Sequence, residues 1–312
     1  MGTPLLAVRG LRVDYDDVIA VNDVSFTVEA GMVYGLIGPN GAGKTSIIKS
    51  IATLLDPTWG AIEVGGVDLV HAPLQVVHRI GYMPDFPPPY EDLTVQEFLE
   101  LFASAYRLSP ETRHKRIRDL IDLVQLSGKT DTLAGGLSRG MKQRLFLAKT
   151  LLHDPDVLLL DEPASGLDPR ARLDFTDIIV ELGRQGKAVV VSSHILSEMA
   201  TFCNSVGIME EGKMVISGRV DEILAHLRPG QPIAVRLLQP HDGLAPFLTA
   251  FEGATAVEVD GAIAHLHLAG EPDAAASLLK ALVAQDFPVV DFHREGGDLT
   301  DIFLQVSHGR VS

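Results

Sequence analysis

Residues 32–46 read MVYGLIGPNGAGKTS, and this stretch decides the fold. A short apolar run ends in a loop, Gly38 to Thr45, that fits the pattern G-x-x-x-x-G-K-[ST], and the following residues have helical spacing. A strand, a glycine-rich loop and a helix in that order turn backbone N–H groups and the positive end of a helix dipole towards phosphate. Lys44 adds a positive charge, and the Thr45 hydroxyl can ligate Mg²⁺. A glycine-rich turn without function would leave this context unexplained, so the sequence predicts an α/β fold that binds a nucleoside triphosphate.

Two adjacent carboxylates follow a second apolar run, VLLLDEP, at residues 157–163. The run has the length of a buried parallel strand, so Asp161 and Glu162 would stand at the edge of a sheet. Asp161 would hold Mg²⁺ through water, and Glu162 would polarise the water that attacks the terminal phosphate. Acidic residues at the end of a strand are often only solvated, but the phosphate loop upstream favours the catalytic interpretation.

The order of the patterns divides the chain into two domains, with an insertion inside the first. Strand and hairpin signals at 5–9, 24–29 and 60–70 surround the phosphate loop. From about 86 to 152 long helical periods replace them, and the α/β pattern resumes with VLLLDEP. The helical block is therefore predicted as an insertion in a domain of residues 1–227.

Residues 228–312 have a different pattern, which begins after the break at Pro229-Gly230. A strand, a helix, a hairpin around Asp260-Gly261, a second helix and a second strand follow one another, and DLTDIFLQVS predicts a last helix. The order βαββαβ indicates a small ferredoxin-like or ACT-like α+β module. It carries no catalytic motif, so we expect a regulatory or accessory role.

Composition excludes several classes of protein. The net charge of −15 argues against a nucleic-acid partner and against direct attraction to anionic lipid. No run approaches the roughly 18 apolar residues of a membrane span, and the first residues lack a secretion signal. The single cysteine, Cys203, fits a reducing cytosol. Any membrane association is therefore expected to run through another protein.

Three further motifs follow the phosphate loop: LSRGMKQ at 137–143, SGLD at 165–168, and His194 within VSSHI. With them, residues 5–225 resemble the nucleotide-binding subunit of an ATP-binding cassette (ABC) transporter. The resemblance implies a P-loop NTPase cassette with a RecA-like core, an antiparallel β subdomain and an inserted helical subdomain, followed here by the small C-terminal module. It also implies an ATP hydrolase that uses Mg²⁺.

In this family two cassettes pack head to tail, and the signature motif of one faces the ATP of the other. The resemblance implies that Ser138 and the Gly140 amide would bind the γ-phosphate across the interface, most simply in a homodimer. Asp168 in the D-loop would link the two sites. The plain alternatives are that Ser138 and Asp168 only cap helices and that Tyr15 only lies at the surface. The implied nucleotide contacts are Tyr15, Gly38, Pro39, Asn40, Gly41, Ala42, Gly43, Lys44, Thr45, Ser46, Ser138 and Gly140; the catalytic residues are Glu162 and His194; the metal ligands are Thr45, Asp161 and Asp85.

Two positions depart from the family pattern. Asp85, in IGYMPD, stands where many relatives carry a glutamine that senses Mg²⁺ and the attacking water. An aspartate is also an oxygen ligand, but it is shorter and charged. Arg139 replaces the first glycine of the usual signature. It should still permit the contacts of Ser138 and Gly140, and it could add a positive charge near the partner's phosphate.

The loop FPPPYEDLT joins the α/β core to the helical block, and in the family a membrane subunit docks there. We therefore expect a separate permease to bind near Phe86 to Tyr90 and to hold this cytoplasmic subunit at the inner face of the membrane, although a proline-rich connector needs no partner. The flanking pattern and the ending GGDLTDIFLQVS resemble bacterial exporters of drugs, antibiotics and polysaccharides. Three alternatives are an importer subunit, a cassette protein acting on ribosomes or DNA, and a small-molecule kinase. The C-terminal pattern disfavours the first, the acidic single cassette the second, and the later motifs the third.

Overall fold

The structure is a computed structural model that describes residues 4–85, 90–195, 199, 201–227, 231–269 and 272–294. It divides into two compact units, Met1–Arg219 and Val220–Ser312. The sequence placed this boundary eight residues later, at 227/228, because of the break at Pro229-Gly230, which lies outside the described residues. The helix at Val220–Leu227 therefore belongs to the second unit.

The first unit contains two sheets and six labelled α-helices within its described residues. Its elements, in chain order, are β1 (Leu6–Tyr15), β2 (Val18–Val28), β3 (Val33–Ile37), α1 (Lys44–Ile51), β4 (Trp59–Val64), β5 (Val67–Asp68), α2 (Pro73–Val76), β6 (Ile80–Met83), α3 (Val95–Ala105), α4 (Pro110–Leu123), α5 (Arg139–Leu151), β7 (Val157–Leu160), α6 (Pro169–Arg184), β8 (Ala188–Ser193), β9 (Ser205–Glu210) and β10 (Lys213–Arg219).

The antiparallel sheet has the strand order β2-β1-β4-β5, and the larger sheet has the order β10-β9-β3-β8-β7-β6. In the larger sheet the five strands from β9 to β6 are parallel, and β10 pairs antiparallel with β9. Every residue of β3 and β7 is buried, because helices and the other sheet cover both faces of a parallel sheet. The stacked rings of Phe26 and Tyr34, 4.9 Å apart, join the two sheets.

The helices α3, α4 and α5 lie in the chain between β6 and β7, which are neighbours in the sheet. Each of these helices begins at a side-chain cap. Thr94 and Glu97 form a capping box on α3, Ser109 caps α4, and Ser138 caps α5. Caps of this kind fix where each helix starts, and for α5 the start is the signature motif.

The second unit contains α7 (Val220–Leu227), β11 (Gln231–Leu237), α8 (Leu244–Ala250), β12 (Ala254–Asp260), β13 (Ile263–Leu268), α9 (Pro272–Ala284) and β14 (Val289–Arg294). Its strands form one antiparallel sheet in the order β12-β13-β11-β14, over an apolar core of its own. After α7 the elements follow the order βαββαβ that the sequence pattern predicted. The predicted last helix, DLTDIFLQVS, lies outside the described residues. Within the described ranges of both units, no helix is long and apolar enough to cross a bilayer.

Candidate functional site

Four parallel strands bring the predicted groups to one edge of the larger sheet. In the strand register Met83 lies beside Leu160, Leu160 beside Val191, and Ile37 beside Ser193. β6 and β7 end level with Val191, and β3 and β8 end together two residues further on, so the segments that follow these strands converge. They carry Asp85 after β6, Asp161 and Glu162 after β7, His194 after β8, and the phosphate loop after β3.

The phosphate loop is wound so tightly that two of its glycines have no room for a side chain. A Cβ at Gly38 would collide with the carbonyl oxygen of Met209, and one at Gly43 would collide with that of Ala20. Gly43 also has φ of +99°, a conformation that L-residues with side chains avoid. The loop therefore keeps its backbone N–H groups on the side of the cavity, where α1 begins directly after Gly43.

Lys44 is held by its own loop and faces two carboxylates. Its ammonium donates to the carbonyl oxygens of Gly38 at 2.7 Å and Pro39 at 3.1 Å, and it lies 3.7 Å from Oε1 of Glu162. Burial lowers the pKa of Lys44, and the charges of Glu162 and Asp161 oppose that shift. All three of these partners are oxygen atoms, which phosphate oxygens can replace without leaving the cation unpaired.

Asp161 is 4% exposed and accepts two hydroxyl hydrogen bonds through Oδ1. Thr45 Oγ1 donates at 3.2 Å, and Ser192 Oγ donates at 2.6 Å. A buried carboxylate beside a threonine hydroxyl is the kind of oxygen ligand set that Mg²⁺ accepts. In the described ranges no group of three or more His, Cys, Asp and Glu could hold a metal by itself. Mg²⁺ usually binds one or two carboxylates together with the phosphates of its nucleotide.

Glu162 is fixed by its backbone and by its neighbours. Its φ is +46°, which costs of order 1–3 kcal/mol outside glycine, and its N–H donates to Ser192 Oγ at 2.9 Å. Oε2 accepts a 2.9 Å hydrogen bond from Nδ1 of His194, while Oε1 faces Lys44. The carboxylate of Glu162 is thus oriented by a histidine and a lysine, an arrangement suited to a general base.

Asp85 belongs to the same cavity. Burial raises the pKa of its carboxyl, the charges of Asp161 and Glu162 raise it further, and the charge of Arg139 lowers it. The cavity has a volume of about 390 Å³. Its lining residues are Ala20, Asn40, Gly41, Gly43, Lys44, Thr45, Ser46, Asp85, Asp161 and Glu162.

The remaining predicted loop residues lie at or beside the cavity. Pro39 supplies a carbonyl oxygen to the Ala42 N–H at 3.2 Å as well as to Lys44, and Ala42 is 2% exposed. The hydroxyl groups of Tyr15 and Ser46 lie 3.3 Å apart. Tyr15 is 44% exposed, so a flat ligand can reach its ring.

Ser138 and Gly140 are not among the residues that line the described cavity of their own chain. Ser138 Oγ accepts the N–H of Met141 at 3.3 Å, which makes it the N-cap of α5. Gly140 is buried, and a Cβ there would lie 2.7 Å from Cβ of Ala171 in α6. Asp168 caps α6 by accepting the N–H of Ala171 at 2.9 Å. These three residues therefore each have a structural role within the chain.

Two positioning residues were not predicted from the sequence. Ser192 is fully buried and ties Asp161 to the backbone of Glu162, and Gln143 donates to the carbonyl oxygen of Pro163 at 2.6 Å. A serine at the end of an otherwise apolar strand, and a glutamine within the apolar face of α5, were the available signals. Phe86, expected to help bind a permease, lies outside the described residues.

The sequence and the fold of this chain are both similar to those of known proteins, and the similarities agree with one another. A family model for ABC transporters matches residues 21–165. The Nod factor export ATP-binding protein I of Burkholderia lata is 38% identical over 210 residues, which cover 67% of this chain and 69% of that protein. The protein of the same name from Ralstonia nicotianae is 29% identical over 307 residues, or 98% of this chain and 94% of that one. The ABC transporter ATP-binding protein NatA of Bacillus subtilis is 38% identical over 205 residues, or 65% and 83%. A solved structure of an ATP-binding subunit of an ABC transporter has 34% identity and a TM-score of 0.64, covering 72% of this chain and 93% of that one.

Proposed function

Because this chain belongs to the ATP-binding subunits of ABC transporters, which hydrolyse ATP to power transport through a separate permease, we propose that two copies of it close around ATP and drive export. The observation that carries the proposal is that, within one chain, the signature residues lie apart from the phosphate loop and the carboxylates. Lys44, Asp161 and Glu162 line one cavity at the edge of the sheet, with His194 hydrogen-bonded to Glu162, whereas Ser138 does not line that cavity. The site is therefore missing the signature contacts unless a second chain supplies them.

The proposed hydrolytic roles follow from the contacts. Lys44 exchanges its carbonyl and carboxylate partners for the phosphates, which the loop from Gly38 to Ser46 binds through its N–H groups. Glu162 accepts a proton from the water that attacks the γ-phosphorus, and His194 keeps that carboxylate in place; the products are ADP and phosphate. Mg²⁺, held by Thr45 and Asp161 with Asp85 as a further oxygen ligand, would offset the charge on the phosphate oxygens.

The signature residues act in trans in this proposal. Ser138 and Arg139 are exposed at the N-terminus of α5, where a hydroxyl oxygen and backbone N–H groups suit the γ-phosphate of a second chain. Gly140, which has no side chain, lets this turn pack against Ala171 of α6. ATP would then hold the dimer together, and hydrolysis would remove the group that both chains bind.

A complementation experiment tests the trans arrangement. Ser138→Arg would block the partner's phosphate position but spare its own loop, and Lys44→Ala would disable its own loop but keep a normal signature. Each variant alone should be inactive. A mixed dimer has one intact site, made of the Lys44 loop of the first chain and the signature of the second. Equal mixing should restore about a quarter of wild-type ATPase activity, since half of the dimers are mixed and each has one working site of two.

The matched control is Ser109→Arg, which removes another serine N-cap from another helix of the same block. Losing either cap should cost about 1 kcal/mol of stability, so the two arginine variants should unfold at similar temperatures. If Ser138→Arg hydrolyses ATP as fast as Ser109→Arg, the trans role is wrong. If the mixture stays inactive, two copies of this chain do not form the working pair.

We propose that the permease binds near Tyr90 and in the groove that Lys149 borders; the rest of the predicted contact, 86–89, lies outside the described residues. Tyr90 packs against Phe102, with 6.2 Å between ring centroids, and the ammonium of Lys149 lies 5.1 Å from the centre of the same ring. Lys149 borders a groove of about 600 Å³ between the α/β core and the helical block. Its other lining residues are Ala52, Leu54, Val77, His78, Ile80, Tyr82, Tyr106, Leu108 and His153. An apolar helix end from a permease suits this groove, and it would hold the subunit at the inner face of the membrane.

We also propose that the direction of transport is export. Two of the relatives bear the name Nod factor export ATP-binding protein I, which supports export as the direction of transport, as the sequence resemblance to drug, antibiotic and polysaccharide exporters does.

For the second unit, the order βαββαβ and the sheet order β12-β13-β11-β14 support a ferredoxin-like module. We assign it an accessory or regulatory role, since its sequence carries no catalytic motif.

A further inference from the structure

The strand β9 ends directly behind the phosphate loop. Ile37 and Ile208 are partners in the parallel sheet, so Met209 stands level with Gly38, the first residue of the loop. The carbonyl oxygen of Met209 occupies the space that a side chain at Gly38 would need. The methyl carbon Cε of the same residue lies 3.4 Å from the position of a Cβ at Gly43, near the other end of the loop. Met209 therefore lies behind both ends of the loop, through its main chain and its side chain.

The turn that follows Met209 holds a second strand against the loop. Gly212, with φ of +77°, closes the hairpin of β9 and β10, and its carbonyl oxygen accepts the N–H of Asn22 at 2.7 Å. A Cβ at Gly212 would lie 2.9 Å from the carbonyl oxygen of Ala20, and the same oxygen excludes a side chain at Gly43. The hairpin thus fixes β2, and with it Ala20, beside the cavity.

Met209 has no access to the cavity itself. Its side chain is fully buried in the apolar core that also contains Ile47 and Ile48 of α1, the helix that begins at the loop. It is not among the residues that line the described cavity. An effect of Met209 on a bound nucleotide must therefore act through the shape of the loop.

We propose that Met209 is a positioning residue for the nucleotide, which holds Gly38 and Gly43 at the spacing that lets the N–H groups of the loop bind phosphate oxygens. The inference rests on the proposed function, because it takes the phosphates to bind the loop that carries Lys44.

The physical reason is that the loop has few restraints of its own. Glycines leave the backbone free to adopt many conformations. The ammonium of Lys44 joins the carbonyl oxygens of Gly38 and Pro39 in the empty loop, but in the proposed mechanism it leaves them for the phosphates. Met209 stays in place when that contact is lost. A loop that is already shaped before binding loses less conformational entropy to the nucleotide, which raises affinity.

Calorimetry with ADP on the full-length chain tests this role. ADP is not hydrolysed and lacks the γ-phosphate, so its affinity reports on the loop of a single chain. Met209→Ala should weaken ADP binding about tenfold, because the loop loses its support and must be ordered on binding. The kcat at saturating ATP should stay within about threefold of wild type, since Ser192 and His194 hold Glu162 without Met209.

Ile208→Ala is the matched control, because Ile208 is the preceding residue of β9, equally buried, and its side chain points to the opposite face of the sheet. Both alanine variants should unfold at a lower temperature, and Ile208→Ala should keep ADP affinity within about threefold of wild type. Met209→Leu keeps the volume and should also bind ADP within about threefold of wild type. If the alanine variants do not fold, Met209→Val and Ile208→Val, which remove similar volumes, give the same comparison.

Equal weakening by the two alanine variants, unchanged affinity in Met209→Ala, or a fall in its kcat as large as the fall in affinity would overturn the positioning role. Lys44→Ala separates this role from the proposed function. ADP binding that survives Lys44→Ala would contradict the role of the loop, and the inference with it. Loss of binding in Lys44→Ala together with unchanged binding in Met209→Ala would overturn the role of Met209 alone.

Discussion

Glu162 shows how one residue acquires a function from its neighbours. A strand-terminal glutamate is ordinarily solvated. Here a left-handed φ and a hydrogen bond to Ser192 fix the backbone of Glu162, and the imidazole of His194 and the ammonium of Lys44 contact its carboxylate. These contacts hold the carboxylate beside the predicted phosphate site. Replacing this carboxylate alone therefore tests its role.

Glu162→Gln should leave ATP binding unchanged within about threefold and lower the hydrolysis rate by at least about a hundredfold, because an amide cannot accept the proton of the attacking water. ATP should then accumulate in a dimer, visible by size-exclusion chromatography with light scattering, while phosphate release gives the rate. Glu181→Gln, an exposed glutamate on α6, is the matched control and should behave as wild type. A Glu162→Gln chain that hydrolyses ATP within tenfold of the wild-type rate would contradict the general-base role.

The residues that sequence could predict are those whose chemistry requires a fixed spacing. The phosphate loop, Asp161 and Glu162 follow directly from strands that the apolar runs reveal. Ser192 and Gln143 could not be predicted in the same way. Their roles depend on which carbonyl or carboxylate lies opposite them after folding, and a serine in a strand or a glutamine in a helix has no spacing rule that identifies its partner.

At the scale of elements, some strands were predictable and others were not. The strands β3 and β7, the helix α1 after the phosphate loop, and the hairpin of β12 and β13 occupy the predicted positions. The sequence pattern does not indicate the strands β6, β9 and β10. The sequence of β6, IGYM, lacks the continuous apolar run VLLL that reveals β7, and its strand identity comes from pairing with β7. Sheet pairing between distant segments therefore decided these elements, and local propensity did not.

The groove that Lys149 borders is an element-scale feature with a testable consequence. Leu54, at its rim just after α1, is 61% exposed. Leu54→Asp should abolish capture of a multi-spanning membrane protein by the tagged chain from detergent-solubilised membranes of its own organism, identified by mass spectrometry. The aspartate would bring an unpaired charge into an apolar contact, and basal ATPase activity should not change.

Leu74→Asp provides the control for this substitution. Leu74 is 86% exposed on α2 and is not among the groove residues, so the same change there should leave the capture intact. Equal capture by the Leu54→Asp and Leu74→Asp chains would show that the permease binds elsewhere.

At the scale of the whole molecule, each unit has its own core. The second unit buries Val235, Leu248, Leu266 and Leu278 among others, and the first unit builds the nucleotide site from its own strands. A chain of residues 1–219 should therefore unfold cooperatively and bind ATP within about threefold of the full chain, measured by calorimetry. Lys44→Ala in the same short chain should lose that binding, which controls for nonspecific uptake of nucleotide. A 1–219 chain that is soluble but cannot bind ATP would show that the second unit contributes to the cassette.

The pairing of β3 has a consequence for how the protein is made. The phosphate loop directly follows this strand, yet the sheet partners of β3 are β8 and β9. Val33 therefore cannot pair until Val189 has been synthesised, and Tyr34 cannot pair with β9 until Ser205 has been synthesised. At roughly 5–20 residues per second, a ribosome needs about ten to thirty seconds to synthesise that intervening chain. For all of that time the glycine-rich loop is in the nascent polypeptide without the sheet that shapes it. ATP can therefore bind and stabilise only a nearly complete cassette. Nucleotide binding by stalled nascent chains of increasing length should begin only after β9 has emerged from the ribosome.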